Sequence, residues 1–281
     1  MQPFFTTGLE ESTMSRFALL CALLLGAGLA QAEIKTSEIP YKGPDGTSLI
    51  GYYAYDDAIA GKRPGVVVVH EWWGLNDYAK RRARDLAALG YSALAIDMYG
   101  DGKNTEHPAD AQAFMKSALA SAPAAKARFL AGLELLEQQP QTDGSKLAAI
   151  GYCFGGKVVL DMARQGVPLD AVVSFHGALG TATPAAPDSV KAKVLVEHGE
   201  QDSMVPMTAV TALKEELDKA DADYRVIIQP DAKHSFTNPD ADRLSHAGHG
   251  SEKGPDIGYD KAADENSWAD MQQLFKEAFA E

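Results

Sequence analysis

Cysteine is scarce in this chain: 281 residues hold two, Cys21 and Cys153. Basic residues are short as well, with 26 Lys and Arg against 39 Asp and Glu and a formal charge of −13. No basic stripe is available to neutralise phosphates, which argues against nucleic acid and against an anionic membrane surface as partners. Long apolar runs are missing too. The run at residues 17–30 is 14 residues long, too short to span a bilayer comfortably. There is no internal repeat and no low-complexity linker. What is present is an ordinary globular composition, 46% hydrophobic and 23% charged, which suits one large α/β domain.

The apolar run is preceded by Arg16 and followed by Ala30-Gln31-Ala32, a small-x-small cleavage signal. This is the layout of a secretory signal peptide over residues 1–32, cut after Ala32. Met14 offers an alternative start with a more compact charged region. The bulky Leu20 disfavours a lipid-modified Cys21. The expected mature chain, residues 33–281, is a single domain in the periplasm or outside the cell, free of the membrane. Cys153 is then its sole thiol, so no internal disulfide can form. Nothing in the pattern sets an oligomeric state.

From residue 48 onward strands and helices alternate, which predicts a mainly parallel sheet of seven to eight strands with helices on both faces. Residues 48–55 alternate in polarity and read as an early edge strand. Residues 66–70, 91–97, 147–151, 171–176, 194–198 and 224–229 read as buried strands. Helices are expected at 77–89, at 109–139 with a break near Pro123, and at 154–164, 206–219 and 260–279. The chemical motifs all fall at the C-terminal ends of strands, where open α/β sheets bind ligands.

The most specific motif is Gly151-Tyr152-Cys153-Phe154-Gly155 between a strand and a helix. It has the form glycine-x-nucleophile-x-glycine, a turn sharp enough to strain the residue at its tip. Cys153 also begins a helix, where the macrodipole favours thiolate. A phosphate-binding loop is a poor reading, because the fingerprint glycines and the Lys-Ser/Thr pair are missing. In such sites the order along the chain is nucleophile, acid, base. Asp202, in the turn after strand 194–198, is the candidate acid, with Glu200 its neighbour and competitor. His234, in the loop after strand 224–229, is the candidate base. The loop after strand 66–70 supplies an oxyanion-hole amide in this arrangement, so the backbone N–H groups of Phe154 and Trp72 are the candidate donors. Glu71 should then point near the sulfur. His70 and His198 read as structural. His176 is a structural residue that could edge the pocket. His246 and His249 lack a third ligand and read as solvated, so no metal is expected.

These residues together resemble the dienelactone hydrolase family of α/β-hydrolases: His70-Glu71-x-x-Gly74-x-Asn76, the elbow through Gly156, the Asp202 turn, His234-Ser235-Phe236, Gly258-Tyr259 and Ser267-Trp268. The resemblance implies a Cys–Asp–His triad acting without a cofactor. It also implies a glutamate, by position Glu71, that pairs with the resting thiol until substrate displaces it. Members acting on dienelactones place one arginine in the loop after the strand ending at Asp97 and another four residues after the histidine. Here that loop reads Met98-Tyr99-Gly100-Asp101-Gly102, and the second position is Asn238. A neutral small ester or lactone is therefore the expected substrate, with Tyr99, Trp73, Phe236 and Asn238 as pocket residues beside Trp72. The competing readings are a non-catalytic ligand-binding protein on a hydrolase scaffold and an acyl transferase using the same residues.

Overall fold

In the computed structural model, residues 1–4, 33–246 and 256–280 are described. The expected signal segment and His249 lie outside those residues, apart from the first four positions. The described chain forms β1 (Ile34–Lys42), β2 (Ser48–Asp56), β3 (Arg63–Val69), α1 (Asp77–Ala88), β4 (Ser92–Ile96), α2 (Pro108–Leu119) and α3 (Ala122–Glu137). It continues through β5 (Thr142–Tyr152), α4 (Phe154–Arg164), β6 (Ala171–Phe175), β7 (Lys193–Gly199), α5 (Met207–Lys219), β8 (Tyr224–Gln229), α6 (Ala241–His246) and α7 (Lys261–Phe279).

The eight strands form one sheet in the order β1-β2-β4-β3-β5-β6-β7-β8. β1 and β2 pair antiparallel, as do β2 and β4, and the remaining pairs are parallel. The valine run Val66–Val69 is fully buried at the middle of the sheet, as a strand covered on both faces requires. One face carries α2, α3, α4 and α5 over Val67, Val69, Leu94 and Val196. The other carries α1 and α7 over Val66, Val68, Ile150 and Val173. The fold is thus that of an α/β-hydrolase.

Three elements depart from expectation. β2 is not the edge: β1 pairs with it along nine residues and is itself the edge strand. β1 is largely exposed and contains Pro40, so it carries little of the apolar signal that marks a strand. β5 begins five residues earlier than expected, its polar start at Thr142 and Asp143 pairing with Arg63 and Pro64 of β3. Residues 241–246, outside the expected helices, form α6, whose Ala241 and Leu244 pack on Trp73.

Candidate active site

Cys153 sits between β5 and α4 with φ 53° and ψ −111°, the strained geometry of a sharp strand-to-helix turn. The turn closes only with glycine on either side. A Cβ on Gly151 would lie 2.1 Å from Gly155 O, and one on Gly155 would lie 2.2 Å from Val69 O. The Cys153 N–H donates to Phe175 O at 3.0 Å, anchoring the tip to β6. The sulfur-bearing residue is half-buried at the C-terminal edge of the sheet.

His234 reaches the same spot from the loop after β8. Its Nδ1–H donates to Asp202 Oδ2 at 2.8 Å. The other oxygen, Oδ1, accepts from the N–H groups of Met204 and Val205, both at 2.9 Å, so the carboxylate is held by three donors. Glu200, the alternative acid, is exposed and accepts instead from the Asp231 N–H at 3.1 Å. Burial by itself would lower the His234 pKa. The Cys153 sulfur beside the ring and the Asp202 carboxylate outweigh it and push the value up to about 10. Nε2, the ring atom left for the sulfur, has no partner in hydrogen-bond geometry among the described residues.

Glu71 does not pair with the thiol. Its carboxylate is 1% exposed, and Oε2 accepts from Asn238 Nδ2 at 2.6 Å, with Ser235 also alongside. Burial pushes its pKa up, against the pull of these two donors and of His234 and Arg82. The rotamer follows from residue 238: the amide there draws the carboxylate into the loop that carries His234. Asn238 is thereby buried, and the cleft that it lines is walled by Asn76, Glu106 and Arg243.

Two expected pocket residues are core instead. Trp73 is 1% exposed because α6 covers it. Phe236 is fully buried among Ala232 and Ala263, edge-on to His176. Trp72 remains partly exposed, and Tyr99 is near enough to Cys153 for the sulfur to raise its pKa further above what burial already sets. The N–H groups of Trp72 and Phe154 make no hydrogen bond among the described residues.

A buried brace behind the His234 loop was not anticipated. Thr237 Oγ1 bonds Tyr78 Oη at 2.6 Å and His176 Nε2 at 2.7 Å. Arg82 donates to Thr237 O at 2.8 Å and to Asp264 of α7. Its guanidinium also lies over Tyr78, Tyr152 and Trp268. A buried arginine on the apolar face of a helix is a signal available in the sequence, since such a charge needs partners. Burial holds the His176 imidazole well below its usual pKa, with His234 adding to the effect, so His176 bonds Thr237 as a neutral ring.

Comparison with known proteins agrees with this architecture. A dienelactone hydrolase-like promiscuous phosphotriesterase from metagenomic libraries is 38% identical, with a TM-score of 0.80 over 88% of this chain and 99% of that one. A protein of Caenorhabditis elegans is 35% identical over 160 residues, 55% of this chain and 94% of that one. A putative carboxymethylenebutenolidase of Escherichia coli K12 is 27% identical over 243 residues, 83% of each chain. Residues 50–279 match the dienelactone hydrolase family, and the chain belongs to that family of ester and lactone hydrolases.

Proposed function

We propose that this protein hydrolyses small neutral esters or lactones through an acyl-enzyme on Cys153. The observation that carries the reading is the His234–Asp202 bond of 2.8 Å, with the free edge of the imidazole turned to the sulfur at the elbow. In the reaction, the Cys153 thiol gives its proton to His234 Nε2, and the sulfur attacks the substrate carbonyl carbon to form a C–S bond. The carbonyl electron pair moves to oxygen, facing the Trp72 and Phe154 N–H groups. Collapse expels the alkoxide, which takes the proton from His234 Nε2. His234 then removes a proton from water, the hydroxide adds to the thioester, and the C–S bond breaks to release the acid. Asp202 keeps the ring oriented and stabilises its charge.

The preference for a neutral substrate rests on residues 98–102 and Asn238, which offer no guanidinium for a carboxylate. Asn238 is also engaged with Glu71. A neutral phosphotriester is a second substrate class worth assay, given the activity named for the 38%-identical metagenomic relative. β1 begins two residues after Ala32, which fits removal of residues 1–32 and a periplasmic or secreted protein.

The test is a panel of short aryl esters, lactones and phosphotriesters on wild type and Cys153→Ala. Hydrolysis abolished by the substitution, with an acyl mass added to Cys153 in wild type, is the expected result. Full esterase rate in Cys153→Ala would end this reading. Saturable binding with no turnover would favour a ligand-binding protein, and faster release with added alcohols would favour an acyl transferase.

A further inference from the structure

We infer that His70 is a positioning residue for the oxyanion hole: its imidazole aims the Glu71–Trp72 peptide so that the Trp72 N–H faces the reacting carbonyl. The inference rests on the acyl-enzyme reading above and adds a residue to it.

The geometry is local and complete. His70 Nδ1–H donates to Glu71 O at 2.5 Å, and the Gly74 N–H donates to the same oxygen at 3.1 Å. Glu71 O and the Trp72 N–H belong to one peptide unit. The described chain has no cis bonds, so this N–H points opposite to the carbonyl. Pinning the oxygen with two donors therefore fixes the direction of the N–H. A peptide whose carbonyl already accepts hydrogen bonds is also polarised into a stronger donor.

The imidazole itself has one usable tautomer. The Met98 N–H donates to His70 Nε2 at 3.3 Å, so Nε2 is the acceptor and Nδ1 carries the hydrogen. Burial keeps the ring below its ordinary pKa and hence neutral, against the pull of Glu71 O and Asp97. The Met98 amide is steadied in turn by Asp97, whose carboxylate accepts from the N–H groups of Tyr99, Gly100 and Gly102, each at 2.8 Å. The Tyr99 hydroxyl donates to Trp72 O at 3.0 Å and so holds the next peptide unit as well. The other hole donor belongs to Phe154, whose ring stacks on His70 at 5.6 Å between centroids. The loop after β4, which lacks an arginine, thus acts through His70 and Tyr99 on the backbone beside Cys153.

A histidine that merely packs the loop would affect every reaction of Cys153 equally. One that aims an oxyanion donor affects only reactions that pass through an oxyanion. Alkylation of Cys153 by iodoacetamide displaces iodide at a saturated carbon and builds no such charge. Acylation by p-nitrophenyl acetate does. The comparison uses His70→Asn, whose amide nitrogen sits near the Nδ1 position and can reach Glu71 O, and His70→Gln, whose amide sits near Nε2 and cannot.

In His70→Gln the pre-steady-state acylation burst should slow on the order of 10²-fold, while alkylation stays within about twofold of wild type. His70→Asn should recover most of the burst rate. The carbonyl stretch of the acyl-enzyme should move to higher frequency in His70→Gln alone, since its oxygen loses a donor. The inference is overturned if His70→Gln acylates at the wild-type rate, or if both variants lose acylation and alkylation in equal measure. A wild type that shows no burst and gains no acyl mass removes the acyl-enzyme reading and this inference with it.

Discussion

Asn238 Nδ2 donates to Glu71 Oε2 at 2.6 Å, joining residues 167 positions apart. The bond decides where the Glu71 carboxyl group lies. With the carboxylate held on Asn238, the proposed reaction leaves His234 as the group that serves the sulfur. Glu71→Gln should therefore leave the rate of Cys153 alkylation at pH 7 within about threefold of wild type, because the carboxyl is bonded to Asn238 and not to the sulfur. A carboxylate that capped the thiol would give a many-fold rise on substitution. Stopped-flow alkylation with a chromogenic disulfide separates the two.

The brace on the other side of that loop has a larger mechanical role. Arg82 ties Thr237 O and the Asp264 carboxylate to α1. Arg82→Leu leaves Asp264 buried without its ion-pair partner, at a cost of about 3 kcal/mol. Urea unfolding should report this loss. Asp264→Asn combined with Arg82→Leu should recover part of it, since the stranded charge is then gone. Because Thr237 lies three residues from His234, the single variant should also lose kcat with little change in KM.

The parts of this site legible in the sequence are those fixed by backbone geometry. Gly151 and Gly155 mark the elbow because their missing Cβ atoms leave room for neighbouring carbonyls. The valine run of β3 marks the centre of the sheet because only a strand covered on both faces can be apolar throughout. Asp202 and His234 follow from the loops after β7 and β8. The side-chain choices were not legible. The rotamer of Glu71 depends on a partner far along the chain. Trp73 and Phe236 are aromatic near the site and read as pocket walls until α6 and the start of α7 are seen to cover them. β1 is mostly polar and exposed, and its pairing with β2 rather than its own pattern makes it a strand.

Buried on β7, Glu197 sets a pH dependence of stability. Its Oε2 accepts from Gln229 at 2.7 Å, its Oε1 has no partner among the described residues, and burial pushes its pKa up to about 8. The unfolded chain releases this proton near the ordinary value of 4.5, whereas the folded chain keeps it until about 8. Below both values the group costs nothing. Between them the unfolded state is increasingly favoured, and above about 8 the full cost of a buried carboxylate is present. Wild-type stability should thus fall from pH 5 to pH 8, and Glu197→Gln should remove that fall, with a gain on the order of 2 kcal/mol at pH 8.5. Thermal melts across this range, compared between the two proteins, provide the measurement. Parallel curves would rule out the assignment.

The proposed removal of residues 1–32 makes a chemical prediction about the first residue. If residues 1–32 are removed, the mature protein begins at Glu33, immediately before β1, and carries Cys153 as its single thiol. Intact-mass analysis of protein recovered from the periplasm or medium should give that N-terminus and one alkylatable cysteine. Replacing Ala30 and Ala32 with leucine should block processing and retain the longer species in the cell fraction.

The final prediction concerns the charge on His234. Burial lowers its pKa, and the sulfur of Cys153 is the largest of the influences that raise it, ahead of the bond to Asp202. Removing the sulfur in Cys153→Ala should therefore move the His234 pKa down from about 10, as burial regains weight against Asp202 alone. Ring carbon and nitrogen chemical shifts at pH 8 should be those of an imidazolium in wild type and shift toward the neutral ring in the variant. The consequence for stability has a definite sign. A histidine raised above its unfolded value of 6.5 contributes stability that is fully present below that pH and is lost as pH rises through about 10. Wild type should accordingly lose melting temperature more steeply than Cys153→Ala between pH 8 and pH 10. Identical titration of the ring in both proteins would mean that Cys153 does not set the charge on His234.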